Sequence, residues 1–306
     1  MPSTRKRQRS SPPRPSPFFH LKDVTALAHD IRPACEVYDR FRVTTQLLGQ
    51  GSYGKIWTAC RDGQCTEYVA KDITFDFSRY PAQYAYRLFF AECLMTQFAG
   101  QQGIGIPIHA FFLCDEGRRG VVIMDRFEKD LERIQTQLTW EDMKSLLTKV
   151  TALHRAGILH RDLFLKNTMY RTVQGVRDIR IIDFGLAIAF EKRIPSNLCA
   201  IDYINLLSGI KQEPLRSQCY EYVVSVLGAQ AVQEGQRMVA THYETCSSEY
   251  ALFRHLPLKW IQLMGPATVD TMVWSVQCQP EKDKDIVNKT LKKVERLSRR
   301  KAARST

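Results

Sequence analysis

The side chains best suited to chemistry lie in the run from His160 to Asn167 and in a triplet that begins at Asp183. The run reads His-Arg-Asp-Leu-Phe-Leu-Lys-Asn, and Asp-Phe-Gly follows 21 residues after Asp162, behind the apolar segment 179–182. One carboxylate can accept a proton from a hydroxyl group, and a second carboxylate with an amide oxygen can bind a divalent cation. These residue types at this spacing suit phosphoryl transfer, which depends mainly on positioning and on charge neutralisation.

A glycine-rich segment precedes them and reads Gly49-Gln50-Gly51-Ser52-Tyr53-Gly54-Lys55-Ile56. Glycines let the backbone approach phosphate oxygens, because no Cβ stands in the way. Alone this pattern is weak, since a glycine-rich hairpin turn without a ligand or a dinucleotide-binding fold has similar spacing. The residues after Gly54 continue as a strand and not as a helix, which favours a flap between two strands over a dinucleotide fold.

Lys71 and Glu92 form the next candidate pair. Lys71 ends the β-rich run Val69-Ala70-Lys71, and Glu92 lies among apolar residues in the helical segment 87–98. A solvated strand lysine is the common alternative for Lys71. A carboxylate on an apolar helix face needs a buried partner, however, and Lys71 would satisfy it.

Taken in order, these motifs resemble the eukaryotic-type protein kinase family over about residues 41–210. The resemblance implies an α+β, bilobal protein-kinase-like fold within residues 18–280. It places a small β-rich N-lobe at about 41–127 and a larger helical C-lobe at about 128–280. It further implies transfer of the γ-phosphate of ATP, with Mg²⁺, to a hydroxyl group of a protein.

The resemblance also implies a role for each matching residue. Asp162 would be the catalytic base, with Lys71, Glu92 and Lys166 as further catalytic residues, and Asn167 and Asp183 would bind Mg²⁺. Met124 would be the gatekeeper beside the adenine, and Met169 its floor, with an ordinary core methionine as the alternative. The remaining ATP-binding positions would be Gly49, Gln50, Gly51, Ser52, Tyr53, Gly54, Ile56, Ala70, Lys71, Asp125, Phe127 and Asp130.

Two features depart from the family pattern. The lysine that serine/threonine kinases place two residues after the catalytic Asp is Phe164 here, and a basic group follows at Lys166, where tyrosine kinases often carry Arg. Ser/Thr specificity is favoured because it is commoner in the family. After Gly185 no A-P-E triplet appears in range, and the buried helix that ties down the catalytic loop is expected to begin at Asp202.

The segment 186–201 would therefore be a short activation loop with one hydroxyl group, Ser196. Glu191 is a candidate partner for Arg161 in place of a phosphate, and activity is expected without phosphorylation of this loop. Regulation through Ser196 is the alternative. In its short loop the sequence is similar to reduced kinases, including some from large DNA viruses.

Two other functions are compatible with the same motifs. The first is a catalytically silent nucleotide-binding scaffold, and the second is a kinase of small molecules or lipids. The complete set of catalytic residues favours an active enzyme, and Arg161 in the His-Arg-Asp run favours protein acceptors.

The elements expected to position these residues divide at about residue 127. Before it, short β-rich runs alternate with glycines, and one helix is predicted from about Tyr84 to Phe98. After it, residues 138–275 are mostly helical in pattern. A strand pair near 168–171 and 179–182, joined at Gln174–Gly175, interrupts the helices.

Of the net charge of +12, all but one unit lies at the two ends of the chain. Residues 1–16 carry five basic groups and no acid, and residues 281–306 carry ten basic groups against four acids. We expect a disordered basic arm at 1–17 and a partly helical basic tail at 281–306. The arm predicts contact with the nuclear import machinery, and the tails predict weak nucleic-acid affinity. The near-neutral body is not that of a basic nucleic-acid-binding fold.

The nine cysteines include no C-x-x-C pair, and no secretory signal or stretch of 18 apolar residues is evident. Reduced thiols, no membrane span and a location in the nucleus or cytoplasm, of a host cell if the origin is viral, are therefore expected.

Overall fold

A computed structural model of the protein describes residues 31–51, 54–78, 82–190 and 193–245. Its first part is a seven-stranded sheet in the order β1-β6-β7-β5-β4-β3-β2, antiparallel except for the β1–β6 pair. The strands are β1 (Ile31–Arg32), β2 (Val37–Tyr38), β3 (Phe41–Gly51), β4 (Gly54–Arg61), β5 (Gln64–Thr74), β6 (Ile108–Cys114) and β7 (Arg119–Asp125). Two short strands thus precede residue 41, where the sequence placed the start of the N-lobe.

Helix α1 (Ala82–Gln101) packs against this sheet and is longer than the predicted segment 84–98. Its aromatic pair Phe89 and Phe90 is buried against Leu113 of β6 and Val122 of β7. Each such ring buries a large apolar area, so this contact fixes the helix on the sheet and with it the position of Glu92.

The second part is helical, with α2 (Trp140–Arg155), α3 (Ser196–Ser208), α4 (Glu213–Leu227) and α5 (Ala229–Thr245). Apolar residues of α2 and α3 form its main core, with those of β10 and β11 beside them. A capping box between Thr139 and Asp142 begins α2, which satisfies backbone N–H groups at the helix end. The α+β, two-lobed architecture predicted from the motifs is confirmed.

Short strands complete the second part: β8 (Lys129–Asp130), β9 (Ile158–Leu159), β10 (Thr168–Val173), β11 (Val176–Ile181) and β12 (Ile188–Ala189). The predicted pair of strands is β10 and β11. They turn at Gln174 and Gly175, whose φ angles are 51° and 79°. A 3-10 turn at Leu165–Asn167 enters β10, and another at Phe184–Leu186 follows β11.

Helix α3 begins at Ser196, six residues before the predicted start at Asp202. Leu198, Cys199 and Ile201 are buried, so the first turns already pack into the core. The connection after Gly185 is therefore residues 186–195, and Ser196 belongs to the helix and not to the loop.

The expectation of reduced thiols is wrong for four cysteines. Disulfide bonds join Cys35 to Cys114 and Cys60 to Cys65, because strand pairing brings these residues together without a C-x-x-C motif. Cys93, Cys199 and Cys219 are free and buried.

No helix within the described residues is long and apolar enough to cross a bilayer. The predicted basic arm and tail lie outside the described residues, as does Glu191.

Candidate active site

An ion pair between β5 and α1 forms one side of the site. Lys71 Nζ lies 2.8 Å from Glu92 Oε1, and their side chains are 19% and 22% exposed. Burial alone would lower the pKa of Lys71, but the carboxylates of Glu92 and Asp183 outweigh it and raise that pKa. Lys71 is therefore a fixed positive charge near two carboxylates.

The Asp-Phe-Gly triplet approaches the same pair. Asp183 has φ 64° and ψ 67°, a left-handed conformation that costs energy for a non-glycine residue. Phe184 is buried and its ring centroid lies 5.0 Å from that of His160. A Cβ on Gly185 would lie 3.4 Å from Glu92 Oε2 and 3.5 Å from Asp183 Oδ1. The left-handed turn thus directs the aromatic ring into the core while Asp183 stays near Lys71.

Asp162 and Asn167 are joined on the opposite, C-lobe side. Asn167 Nδ2 donates to the Asp162 backbone oxygen at 2.7 Å and to Asp162 Oδ2 at 2.8 Å. Both amide hydrogens of Asn167 are used by these bonds. Its Oδ1 therefore has a fixed direction and remains an acceptor.

Asp202 holds the loop that carries Asp162. Its fully buried carboxylate accepts from the backbone N–H groups of His160 at 2.8 Å and Arg161 at 2.7 Å, and from His154 Nε2 at 2.9 Å. Burial alone would raise the pKa of Asp202, but the hydrogen bonds and charges of His154 and His160 have the larger effect. The pKa of Asp202 therefore lies below its ordinary value. Arg161 has φ 73°, so these bonds hold a strained backbone.

The glycine-rich segment is the β3–β4 hairpin, in which Gly51 faces Gly54 and Gly49 faces Ile56. A Cβ on Gly54, whose φ is 150°, would lie 2.4 Å from the backbone oxygen of Asp72, so packing against β5 requires glycine there. A Cβ on Gly49 or Gly51 would meet no atom within 4 Å. Packing therefore does not explain these two glycines. Gln50 faces Lys55 in the hairpin, while Ser52 and Tyr53 lie outside the described residues.

The predicted adenine-binding residues lie on strands that meet at the lobe boundary. Ile56 and Ala70 lie on β4 and β5, Met124 on β7, and Met169 pairs with Asp130 between β10 and β8. Met169 is half-buried, unlike the core methionines Met95 and Met143. The Asp130 carboxylate accepts from Arg133 N and pairs with its guanidinium at 2.9 Å.

Lys166 is exposed and contacts Phe164, with Nζ 5.3 Å from the ring centroid. Within the described residues it forms no hydrogen bond or ion pair. The structure thus places Lys166 beside the aromatic residue that replaces the usual lysine, and not on Asp162.

The segment after the triplet is tied to the catalytic loop at its start. Strand β12 pairs with β9, and Phe190 N donates to Gly157 O at 2.6 Å. Gly157 has φ 86°, and a Cβ there would lie 2.5 Å from Phe190 O. Glycine is therefore required for this close backbone contact.

Sequence reasoning missed two parts of the site. It did not assign His154, although a histidine in an apolar helix end, as in Leu153-His154, needs a buried partner. It also missed the contacts of Asp125 with His109 and Arg171, which lie 16 and 46 residues away.

Asn167 and Asp183 suit Mg²⁺, which is bound through one or two protein oxygens together with phosphate oxygens and waters. No cluster of three or more His, Cys, Asp or Glu residues that could hold a metal occurs in the described part of the chain. A two-oxygen site completed by a nucleotide agrees with both facts.

A family model described as protein kinase domain matches residues 42–204. The chain is 33% identical over 81 residues to "Putative ribosomal protein S6 kinase alpha-2" of Caenorhabditis elegans. This match covers 26% of this chain and 10% of the relative. It is 41% identical over 51 residues to "Probable serine/threonine-protein kinase 2" of Plasmodium falciparum (isolate K1 / Thailand), covering 17% of this chain and 10% of the relative. The matches thus span about a tenth of the length of these relatives.

Proposed function

The chain belongs to the protein kinase family, and from this premise we propose that it transfers the γ-phosphate of ATP, with Mg²⁺, to a Ser or Thr hydroxyl group of a protein. The observation that carries the proposal is the assembled site. Lys71 and Glu92 are paired, Asp183 approaches them, and Asn167 fixes Asp162 on the facing lobe.

Each of these residues has a step that its chemistry supports. The Asp162 carboxylate accepts or orients the proton of the attacking hydroxyl group, and its hydrogen bond from Asn167 holds one oxygen in place. Lys71, kept charged by Glu92, binds and positions phosphate oxygens. Asn167 Oδ1 and the Asp183 carboxylate would hold Mg²⁺. When bound, the metal ion would neutralise phosphate charge.

The nucleotide is proposed to lie between Gly49–Gly54 and β10. The open space beside Gly49 and Gly51 supports close approach of phosphate oxygens to that backbone. The half-buried Met169 supports an adenine floor over an ordinary core residue. Phe127, at the hinge, makes no backbone hydrogen bond with another described residue, so its N–H is available for a base.

Specificity for Ser or Thr is proposed on the name of the Plasmodium relative. Phe164 in place of the usual lysine leaves Lys166 as the nearby cation, and its contact with the Phe164 ring keeps it beside the loop. We propose that Lys166 acts on the acceptor side of the phosphate from there.

Activity without loop phosphorylation is proposed from the same contacts. The ion pair, the left-handed Asp183 and the β9–β12 pairing exist in an unphosphorylated chain. Ser196, which the sequence predicts to lie in the loop, is the first residue of α3. A helix residue of this kind has little conformational freedom left for a phosphate to order.

The decisive experiment measures transfer from radiolabelled ATP to a generic basic protein, to lipids and to small alcohols. Asp162→Asn and Lys71→Met should each reduce protein labelling by orders of magnitude, because these groups act as a unit. Each variant should remain folded, although Lys71→Met should unfold at lower urea concentration because it leaves the Glu92 carboxylate without its partner. Activity within about tenfold of wild type in either variant would refute the assigned roles. A wild-type chain that labels no acceptor above background would identify a silent scaffold, and labelling of lipid alone would identify a different acceptor.

Nuclear import through the basic arm and weak nucleic-acid binding by the tails are also proposed, on their charge alone. A fluorescent fusion should lose nuclear enrichment when residues 1–16 are deleted. A fusion whose distribution stays unchanged would contradict the import proposal.

A further inference from the structure

The carboxylate of Asp125 joins the two lobes at the hinge. His109 of β6 lies with Nε2 2.7 Å from Asp125 Oδ1, and Arg171 of β10 donates from its guanidinium to Oδ2 at 3.0 Å. One partner belongs to the N-lobe sheet and the other to the C-lobe hairpin. The Asp125 side chain is 17% exposed, so solvent screens these contacts less than it would on an open surface.

Arg171 also contacts the hinge residue Phe127. Its guanidinium carbon lies 4.7 Å from the centroid of the Phe127 ring, within the range of a cation–π interaction. Its Nε lies 3.4 Å from Asp178 Oδ2, and Arg180 holds that carboxylate with two hydrogen bonds of 2.7 and 3.1 Å. The β10–β11 hairpin therefore fixes Arg171 in place against the hinge.

The backbone of the hinge is fixed on both sides of Phe127. Asp125 N donates to Pro107 O, and Glu128 N donates to Tyr170 O at 2.8 Å. Phe127 lies between them, and its N–H has no partner within the described residues. The contact of Arg171 with the Phe127 ring thus restrains the side chain of the hinge residue whose N–H is available.

We propose that Arg171 is a positioning residue for the nucleotide, acting through Phe127 and Asp125 and not by contact with the substrate. The inference rests on the proposed function, since it requires a nucleotide base at the hinge. The His109–Asp125–Arg171 contacts would then hold the hinge backbone at a fixed distance from the base. Loss of the guanidinium would then weaken binding of adenine nucleotides while leaving the chemical step intact.

The test compares Arg171→Ala with Arg177→Ala. Arg177 is a matched control on the same hairpin, because it likewise lies over an aromatic ring, at 5.5 Å from Tyr170, and pairs with a carboxylate, that of Asp142 at 2.6 Å. For each, KM for ATP, kcat and urea unfolding are measured, and binding of a non-hydrolysable ATP analogue is measured by calorimetry.

Arg171→Ala should raise KM for ATP and Kd for the analogue by about tenfold, with kcat within about twofold of wild type. Arg171→Lys should recover part of the loss, since lysine keeps the charge but not the planar fork. Arg177→Ala should lower stability without changing Kd. Adding Asp125→Asn to Arg171→Ala should cost less than the two single changes together, because both act through one contact.

Two results would overturn the inference. Arg171→Ala with wild-type Kd would show that the contact does not position the base. Equal losses of affinity in Arg171→Ala and Arg177→Ala would show a general structural effect. A wild-type chain that binds no adenine nucleotide would instead overturn the proposed function, and this inference with it.

Discussion

Replacing Asp202 by Asn exchanges one carboxylate oxygen for an NH2 group, removes the negative charge and should disable the catalytic loop. The carboxylate is fully buried and accepts three hydrogen bonds, of 2.7, 2.8 and 2.9 Å. An amide has a single acceptor oxygen. If that oxygen replaces Oδ2, it keeps the bonds from His160 N and His154, but the amide nitrogen then faces the N–H of Arg161. Two donors would meet in a buried site.

The expected cost follows from this count. One charge-assisted hydrogen bond is lost, at about 1.5–3 kcal/mol, and a buried donor is left unsatisfied, at about 1–3 kcal/mol. The unfolding free energy should therefore fall by about 3–5 kcal/mol, a large part of the roughly 5–15 kcal/mol typical of a folded domain. Arg161, with φ 73°, would relax without its acceptor, and Asp162 would move with it.

Urea unfolding and kcat measured on the same preparations test this reasoning. Asp142→Asn is the control, because Asp142 is also a buried carboxylate with an ion pair, but at the start of α2 and away from the catalytic loop. It should lower stability with kcat unchanged, whereas Asp202→Asn should lower both. An Asp202→Asn protein with wild-type stability and kcat would refute the three-bond argument.

Three further predictions concern other parts of the protein. Ser196→Ala should transfer phosphate at the wild-type rate when both proteins are made in bacteria and mass spectrometry shows that Ser196 of the wild type is unmodified. A large loss of rate in the variant, together with a gain when the wild type is phosphorylated at Ser196, would contradict this. Gly54→Ala should lower stability by about 1–3 kcal/mol in urea unfolding, since its Cβ would collide with a β5 carbonyl oxygen. Gly51→Ala should instead leave stability unchanged and raise KM for ATP, and the reverse order of effects would refute the assignment. Burial lowers the pKa of His154, but its buried carboxylate partner outweighs this and raises it from 6.5 to about 9. The stability that protonated His154 contributes is therefore complete below pH 6.5 and is lost as the pH rises through about 9. The free energy of unfolding measured between pH 6 and about pH 10 tests this, and a value independent of pH would contradict it.

The sequence predicted those contacts that short motifs specify. Lys71 and Glu92 are charged residues within apolar segments, so each required an oppositely charged partner. The turn residues Gln174–Gly175 indicated the hairpin at 168–181. The sequence prediction began α3 at Asp202, but the helix begins at Ser196, directly after Pro195, which has no side-chain hydrogen bond that would cap the helix. Residues brought together by strand register alone carry no local signal, so the Cys35–Cys114 bond was not predictable.

The same was true of the hinge contacts. Asp125 was assigned through its backbone, and nothing in its neighbours indicated where its carboxylate would bind. Its partners come from strands on either side of the lobe boundary. Long-range pairs of this kind depend on the relative position of two lobes, which no local periodicity encodes.

The Cys35–Cys114 bond has a consequence for the unfolded chain. It closes a covalent ring between cysteines 79 positions apart in the sequence, and the ring contains the glycine-rich segment, Lys71 and Glu92. A cross-link of this span removes many conformations from the unfolded ensemble, an entropy worth roughly 4.5 kcal/mol at room temperature. The two halves of the ion pair, although on a strand and a helix 21 residues apart, thus stay within one macrocycle even when the sheet opens. Re-forming the N-lobe sheet after such an opening is then a search within a closed loop and not along a free chain.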